Sequence, residues 1–178
     1  MDYDLKELKE NIEQYAKEIN QEAWFYPEYE GVMGFWGTQD IIFLGLNPSS
    51  GTFPSENDKL LYKLLKEKGF EYAHITDLIK IRAKNKGVTN LITNSELMKK
   101  QYDFFSDEIN IIKPKIIITM GLQCYGLLKQ GFPKIEPICK IRQIKHYSFR
   151  YQKKEEVFNE ISGQLDKIKE EYKNLCKK

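Results

Sequence analysis

The sequence predicts a doubly wound α/β domain, a four-stranded parallel sheet with helices on both faces. Two kinds of segment and their order predict it. Continuous apolar runs at 41–44 and 116–120 read as strands buried on both sides. Segments with apolar residues at helical spacing separate the strands, and neighbouring parallel strands need such a crossover. A length of 178 residues fits one domain spanning 1–178.

Leu5, Leu8, Ile12, Tyr15 and Ile19 recur every three or four residues and predict an amphipathic helix. An aromatic stretch follows (Trp24, Phe25, Tyr26, Tyr29, Phe35, Trp36), then the first strand at 41–44, which ends in Gly45. Ser55, three residues before Asp58, opens a helix carrying Leu60, Leu61, Leu64 and Leu65, and Lys68 and Gly69 close it. Residues 72–76 predict a second strand. Asn94 or Ser95 caps a long helix with Leu97, Tyr102, Phe105, Ile109 and Ile112, stopped by Pro114. The third strand is 116–120, Gly121 starts a turn, 123–129 form a short helix, and 138–144 give the fourth strand. Val157, Phe158, Ile161, Leu165, Ile168, Tyr172 and Leu175 line a final helix.

With 41% hydrophobic and 30% charged residues, the chain is neither disordered nor fibrous. Its net charge of +2 conceals an asymmetry. Residues 1–30 carry nine acids against three lysines, whereas 134–154 carry seven bases against Glu136 alone. Such a basic stretch reads as a solvated face or as a site for a polyanion. Cys124, Cys139 and Cys176 form no CxxC pair, and His74 and His146 stand far apart, so no metal and no cofactor are expected. The acidic N-terminus and the lack of an apolar run near 20 residues predict a soluble, cytoplasmic protein without a membrane partner. A monomer is expected.

In doubly wound sheets ligands bind beyond the carboxyl ends of the strands. After the first strand comes GLNPSSG (45–51), where Gly45 permits a tight turn and Pro48 stiffens it. Neither GK[ST] nor GxGxxG is present, which argues against a phosphate-cradling P-loop and a dinucleotide fold. Asp77 follows the second strand. After the fourth comes HYSFRY (146–151), an imidazole among aromatics and bases, the mixture that stacks on nucleobases and pairs with phosphates.

Together these segments resemble the uracil-DNA glycosylase superfamily over about 41–151. Its single-strand-selective branch has GMNPG and HPSPR where this chain has GLNPS (45–49) and HYSFR (146–150). The resemblance implies a uracil-DNA glycosylase-like fold and hydrolysis of the N-glycosidic bond of uracil or another deaminated or damaged base in single- or double-stranded DNA. Asn47 falls on the water-positioning Asn, His146 on the catalytic His and Arg150 on the wedge position. Gly45, Leu46, Phe53 and Asp77 correspond to the base pocket, with Phe53 stacking on the base. Ser49, Ser50, Lys145, Ser148 and Arg150 would contact DNA. HITDLIK (74–80) resembles the base-reading strand, but Asp77 stands where uracil-specific members have Asn. An ionised carboxylate only accepts hydrogen bonds, whereas an amide donates and accepts. Tyr147 replaces Pro and Ser49 replaces Gly. Two other readings follow: a nucleic-acid-binding relative without turnover, and an α/β enzyme acting on free nucleosides.

Overall fold

The computed structural model describes residues 4–49, 51–82, 87–148 and 151–177. The helices are α1 (Leu5–Glu18), α2 (Glu56–Lys68), α3 (Gly87–Ile92), α4 (Ser95–Ile112), α5 (Leu122–Gly131) and α6 (Lys154–Leu175). The strands are β1 (Gln39–Gly45), β2 (Ala73–Asp77), β3 (Ile116–Met120) and β4 (Lys140–Ile144), and a 3-10 turn spans Gly34–Trp36. All strand pairs are parallel, in the order β2-β1-β3-β4. The chain therefore winds one way from β1 to β2 and the other way from β3 to β4, and the crevice opens between the carboxyl ends of β1 and β3.

Alternation along each strand divides the core. Ile41, Phe43, Ile116, Ile118 and Met120 pack with Leu61 and Leu65 of α2 and Val157, Ile161 and Leu165 of α6. Ile42, Leu44 and Ile117 face the other way, toward Phe105, Ile109 and Ile112 of α4 and Cys124 and Leu128 of α5. Leu8 and Ile12 of α1 pack with Phe104, outside α4. Period-two strands sandwiched between helices produce this two-sided burial.

Helix ends follow the expected chemistry. Ser55 and Asp58 form a reciprocal capping box and Gly69 closes α2 in the left-handed conformation. Asn94, rather than Ser95, caps α4 by accepting from Leu97 N at 3.0 Å. Strand boundaries differ from the sequence expectation by one or two residues. β2 extends to Asp77, and β4 begins at Lys140, because Ile138 is exposed outside the ladder. The 3-10 turn and α3 were not anticipated, since neither short segment carries a full helical period.

The aromatic stretch extends the β2 edge. Ala23 and Ile81 form an antiparallel bridge, and Trp24 N donates to Lys80 O at 2.9 Å. Phe35 N donates to Tyr26 O at 2.8 Å, which fixes Tyr26 beside the end of β2. No described helix is long and apolar enough to cross a membrane, and the described residues hold no metal-ligating cluster.

Candidate active site

Asp77 is the last residue of β2 and lies opposite Gly45, the last residue of β1. A Cβ on Gly45 would fall 2.1 Å from Asp77 Oδ1, so glycine is needed for this close approach rather than for a tight turn. Asp77 is only 3% exposed. Its Oδ2 is buried with no hydrogen-bond partner, while the Tyr26 hydroxyl contacts the carboxyl. Burial pushes its pKa up to about 7, with Lys80 offsetting part of the effect and Glu108 adding to it. The Tyr26 hydroxyl also hydrogen-bonds Tyr147, and Tyr147 reaches on to Asp58.

Beneath Asp77 lies a buried polar network. Lys80 Nζ donates to Thr76 Oγ1 at 2.7 Å, to Glu108 Oε2 at 2.6 Å and to the Asp77 carbonyl. Thr76 donates to Glu108 Oε1 at 3.0 Å, and His74 Nε2 lies 3.5 Å from the same oxygen. Burial raises the Glu108 carboxyl, but Lys80 and His74 outweigh it and hold the group below the usual range. Gln101 accepts from Lys80 N at 2.8 Å. The end of β2 is thereby anchored to α4.

At the other side of the crevice, His146 follows β4 and packs on Gly121, whose φ of 99° suits only glycine; a Cβ there would lie 3.3 Å from His146 Cβ. Ser148 N donates to His146 Nδ1 at 3.1 Å, and Ser148 Oγ lies 2.9 Å from the same nitrogen. An Nδ1 that accepts leaves the ring proton of neutral histidine on Nε2. Burial lowers the His146 pKa, which favours that neutral form. Ser148, expected at DNA, thus also sets the His146 tautomer. The imidazole stacks on Tyr147 at 4.9 Å, so Tyr147 and Tyr26 link His146 to Asp77.

Between them runs the loop after β1. Half-buried Asn47 donates from Nδ2 to Pro48 O at 3.0 Å, and exposed Ser49 accepts from Gly51 N at 2.9 Å. Leu46 packs against the α4–α5 side of the core. Phe53 sits among Trp24, Tyr29 and Tyr62, with ring centroids 5.5–6.0 Å apart. Phe53, Tyr26, Tyr147, Asp58, Trp24 and Arg82 are among the residues lining a cavity of about 20 Å³. That volume holds a water but no nucleobase. Ser50 and Arg150 lie outside the described residues.

The chain belongs to the uracil DNA glycosylase superfamily. The superfamily model matches residues 36–169, about three quarters of the sequence. Comparison with curated proteins returns no match. The four-stranded all-parallel α/β sheet agrees with the fold of that superfamily.

Two features of this superfamily member were not foreseen from sequence. Tyr26 lies in an aromatic run without periodicity, so nothing marked it as a partner of Asp77. The basic segment is also less free than its composition suggests. Lys145 Nζ lies 2.5 Å from Glu160, and Arg142 is paired with Glu171, both acids belonging to α6. Neutralisation from a helix distant in sequence is invisible to a local charge count.

Proposed function

We propose that the protein is a monofunctional DNA glycosylase that hydrolyses the N-glycosidic bond of uracil or another deaminated base and leaves an abasic site. The observation that carries this reading is the Ser148 amide donating to His146 Nδ1, which leaves the proton of a neutral imidazole on Nε2.

Breaking the bond builds positive charge on the sugar and negative charge on the departing base. A preorganised donor at the base oxygen and an oriented water are the main demands. His146 Nε2–H supplies the donor. Asn47 has its amide nitrogen engaged by Pro48 O, which leaves Oδ1 to accept from the attacking water. No strong base is required when the leaving base departs ahead of water attack. Phe53 stacks on the extruded base, and Gly45, Leu46 and Asp77 bound its edge. Ser49, Ser50, Lys145, Ser148 and Arg150 hold the strand, with Arg150 filling the vacated stack. Extrusion from a duplex costs a few kcal/mol, so a single strand is the easier substrate.

The small volume of that cavity, about 20 Å³, favours a second reading, a DNA-binding relative without turnover. An oligonucleotide panel separates the two. Strands carrying uracil, hypoxanthine, xanthine or no lesion are incubated with protein, and abasic sites are cleaved with alkali. Lesion-dependent cleavage supports the enzyme; binding without cleavage in every strand supports the second reading.

A further inference from the structure

We infer that Arg82, stacked on Trp24 beside the loop after β1, grips a backbone phosphate of the DNA strand. The inference rests on the DNA reading for its ligand, and it adds a contact outside the basic segment 134–154.

The chain beyond β2 builds the position. Ala23 and Ile81 form the antiparallel bridge, and hydrogen bonds of 2.9 Å flank it, Trp24 N to Lys80 O and Arg82 N to Glu22 O. This short ribbon fixes the backbone of Arg82 and brings its side chain to that of Trp24. The guanidinium carbon lies 4.1 Å from the centre of the indole. Such a stack orients the planar fork of arginine without taking up its N–H groups. Trp24 in turn packs on Phe53, with ring centroids 6.0 Å apart, so the cation is seated against the loop after β1. Arg82, Trp24, Ser49 and Thr52 line the same small cavity.

Other basic side chains near the carboxyl edge are already neutralised. Arg142 Nε donates to Glu171 Oε2 at 2.6 Å, Lys145 lies 2.5 Å from Glu160, and Lys80 lies 2.6 Å from Glu108. Arg82 differs at the same atom. Its Nε lies 3.9 Å from Glu22 Oε1, beyond hydrogen-bond range, and no described group accepts from it. The Glu22 side chain is half-exposed, so water and salt weaken its pull. The Arg82 side chain is 19% exposed, so solvent reaches it. Stacking, rather than an ion pair, holds this charge in place.

A phosphodiester matches this arrangement. Its oxygens fit the fork of a guanidinium, meeting the edge and leaving the face on the indole. Ser49 and Thr52 add neutral hydroxyl donors on the same wall. A cavity of about 20 Å³ admits one water-sized atom, which suits a single phosphate oxygen and excludes a sugar or a base. Asp58 also lines the cavity, but its Oδ2 accepts from Ser55 N at 2.8 Å and Ser55 Oγ at 2.6 Å.

Binding of an undamaged single strand tests this without turnover. Anisotropy of labelled oligothymidylate is followed from about 50 mM to about 1 M salt, where each phosphate contact adds about −0.7 to the slope of log affinity against log salt. Arg82→Gln is expected to flatten the slope by about 0.7 and to weaken binding about eightfold at the low-salt end, converging with wild type at the other. Arg82→Lys keeps the slope. Lys173→Gln removes the same charge in the last turn of α6 and leaves the slope unchanged. The ¹⁵N–¹H resonance of Arg82 Nε gives a reading on wild type alone: it shifts as the strand is added, while that of Arg142 does not. An unchanged slope in Arg82→Gln, a loss no greater than that of Lys173→Gln, or an unmoved Arg82 resonance at saturating strand overturns the inference. Wild type that binds no strand ends the DNA reading and the inference with it. Excision is scored separately on uracil strands. Excision with an unchanged slope keeps the glycosylase reading and removes Arg82 from it. A flattened slope without excision does the reverse.

Discussion

The ends of β1 and β2 lie side by side at the carboxyl edge of the sheet and are built in opposite ways. Beyond β1 the polar side chains bond within their own loop, Asn47 to Pro48 and Ser49 to Gly51. At β2 they are wired through the interior to α4, with His74, Lys80 and Glu108 all buried. On the proposed function, the chemistry falls to groups that the fold does not need, whereas the end of β2 is built from groups that it does. The loop after β4 belongs with the first class, since Ser148 fixes His146 from two residues away.

The largest effects should separate these classes cleanly. Asn47→Ala and His146→Ala are each expected to lower base excision by about 10²–10⁴-fold, the usual worth of a positioned acid or base. Each should shift unfolding free energy by no more than about 1 kcal/mol. Rate constants and urea denaturation measured on the same preparations check both halves; a large stability loss with unchanged rate would erase the contrast.

Glu108→Ala acts at the other pole. It leaves the Lys80 ammonium buried without its carboxylate, a loss of about 3–5 kcal/mol. Urea denaturation reads this directly, and a change under about 1 kcal/mol would mean that the network does not anchor β2.

Gly45→Ala probes the seam between the two regions. The added methyl meets Asp77 Oδ1 at 2.1 Å, and overpacking of this kind costs about 1–3 kcal/mol. In an Asp77→Ala background the same substitution should cost less, since the colliding oxygen is gone. Additive effects in that double-mutant cycle would show that the two positions do not touch.

A further effect depends on pH. Because the folded-state pKa of Asp77 is raised, its contribution to stability is fully present in acid, declines as pH rises from the ordinary carboxylate range to about 7, and is constant above that. Asp77→Asn lacks this decline. Its unfolding temperature relative to wild type should therefore climb between pH 4 and pH 7 and level off, and a constant difference would place an ordinary carboxylate at this position.

The same division explains what the sequence made legible. The strands at 41–44 and 116–120, the capping box Ser55–Asp58 and the stop at Pro114 are encoded by neighbours, and all appear in the fold. Asn47, Asp77 and His146 were singled out as candidates because strand ends are where doubly wound sheets bind ligands. The β2 network was not, because its partners lie 21 to 32 residues apart. One trace was present: Gln101 and Glu108 are seven residues apart on the apolar stripe of α4 and buried among Phe104, Phe105 and Ile112. Two polar residues at heptad spacing on a core face signal internal partners.

Release of free base under single-turnover conditions tests the central claim most directly. A single-stranded oligonucleotide with one uracil is mixed with excess protein, and the liberated base is separated by chromatography. The account predicts one free uracil per abasic site with wild type and a large loss of rate with Asn47→Ala. No free base, or equal rates in wild type, Asn47→Ala and His146→Ala, would contradict it.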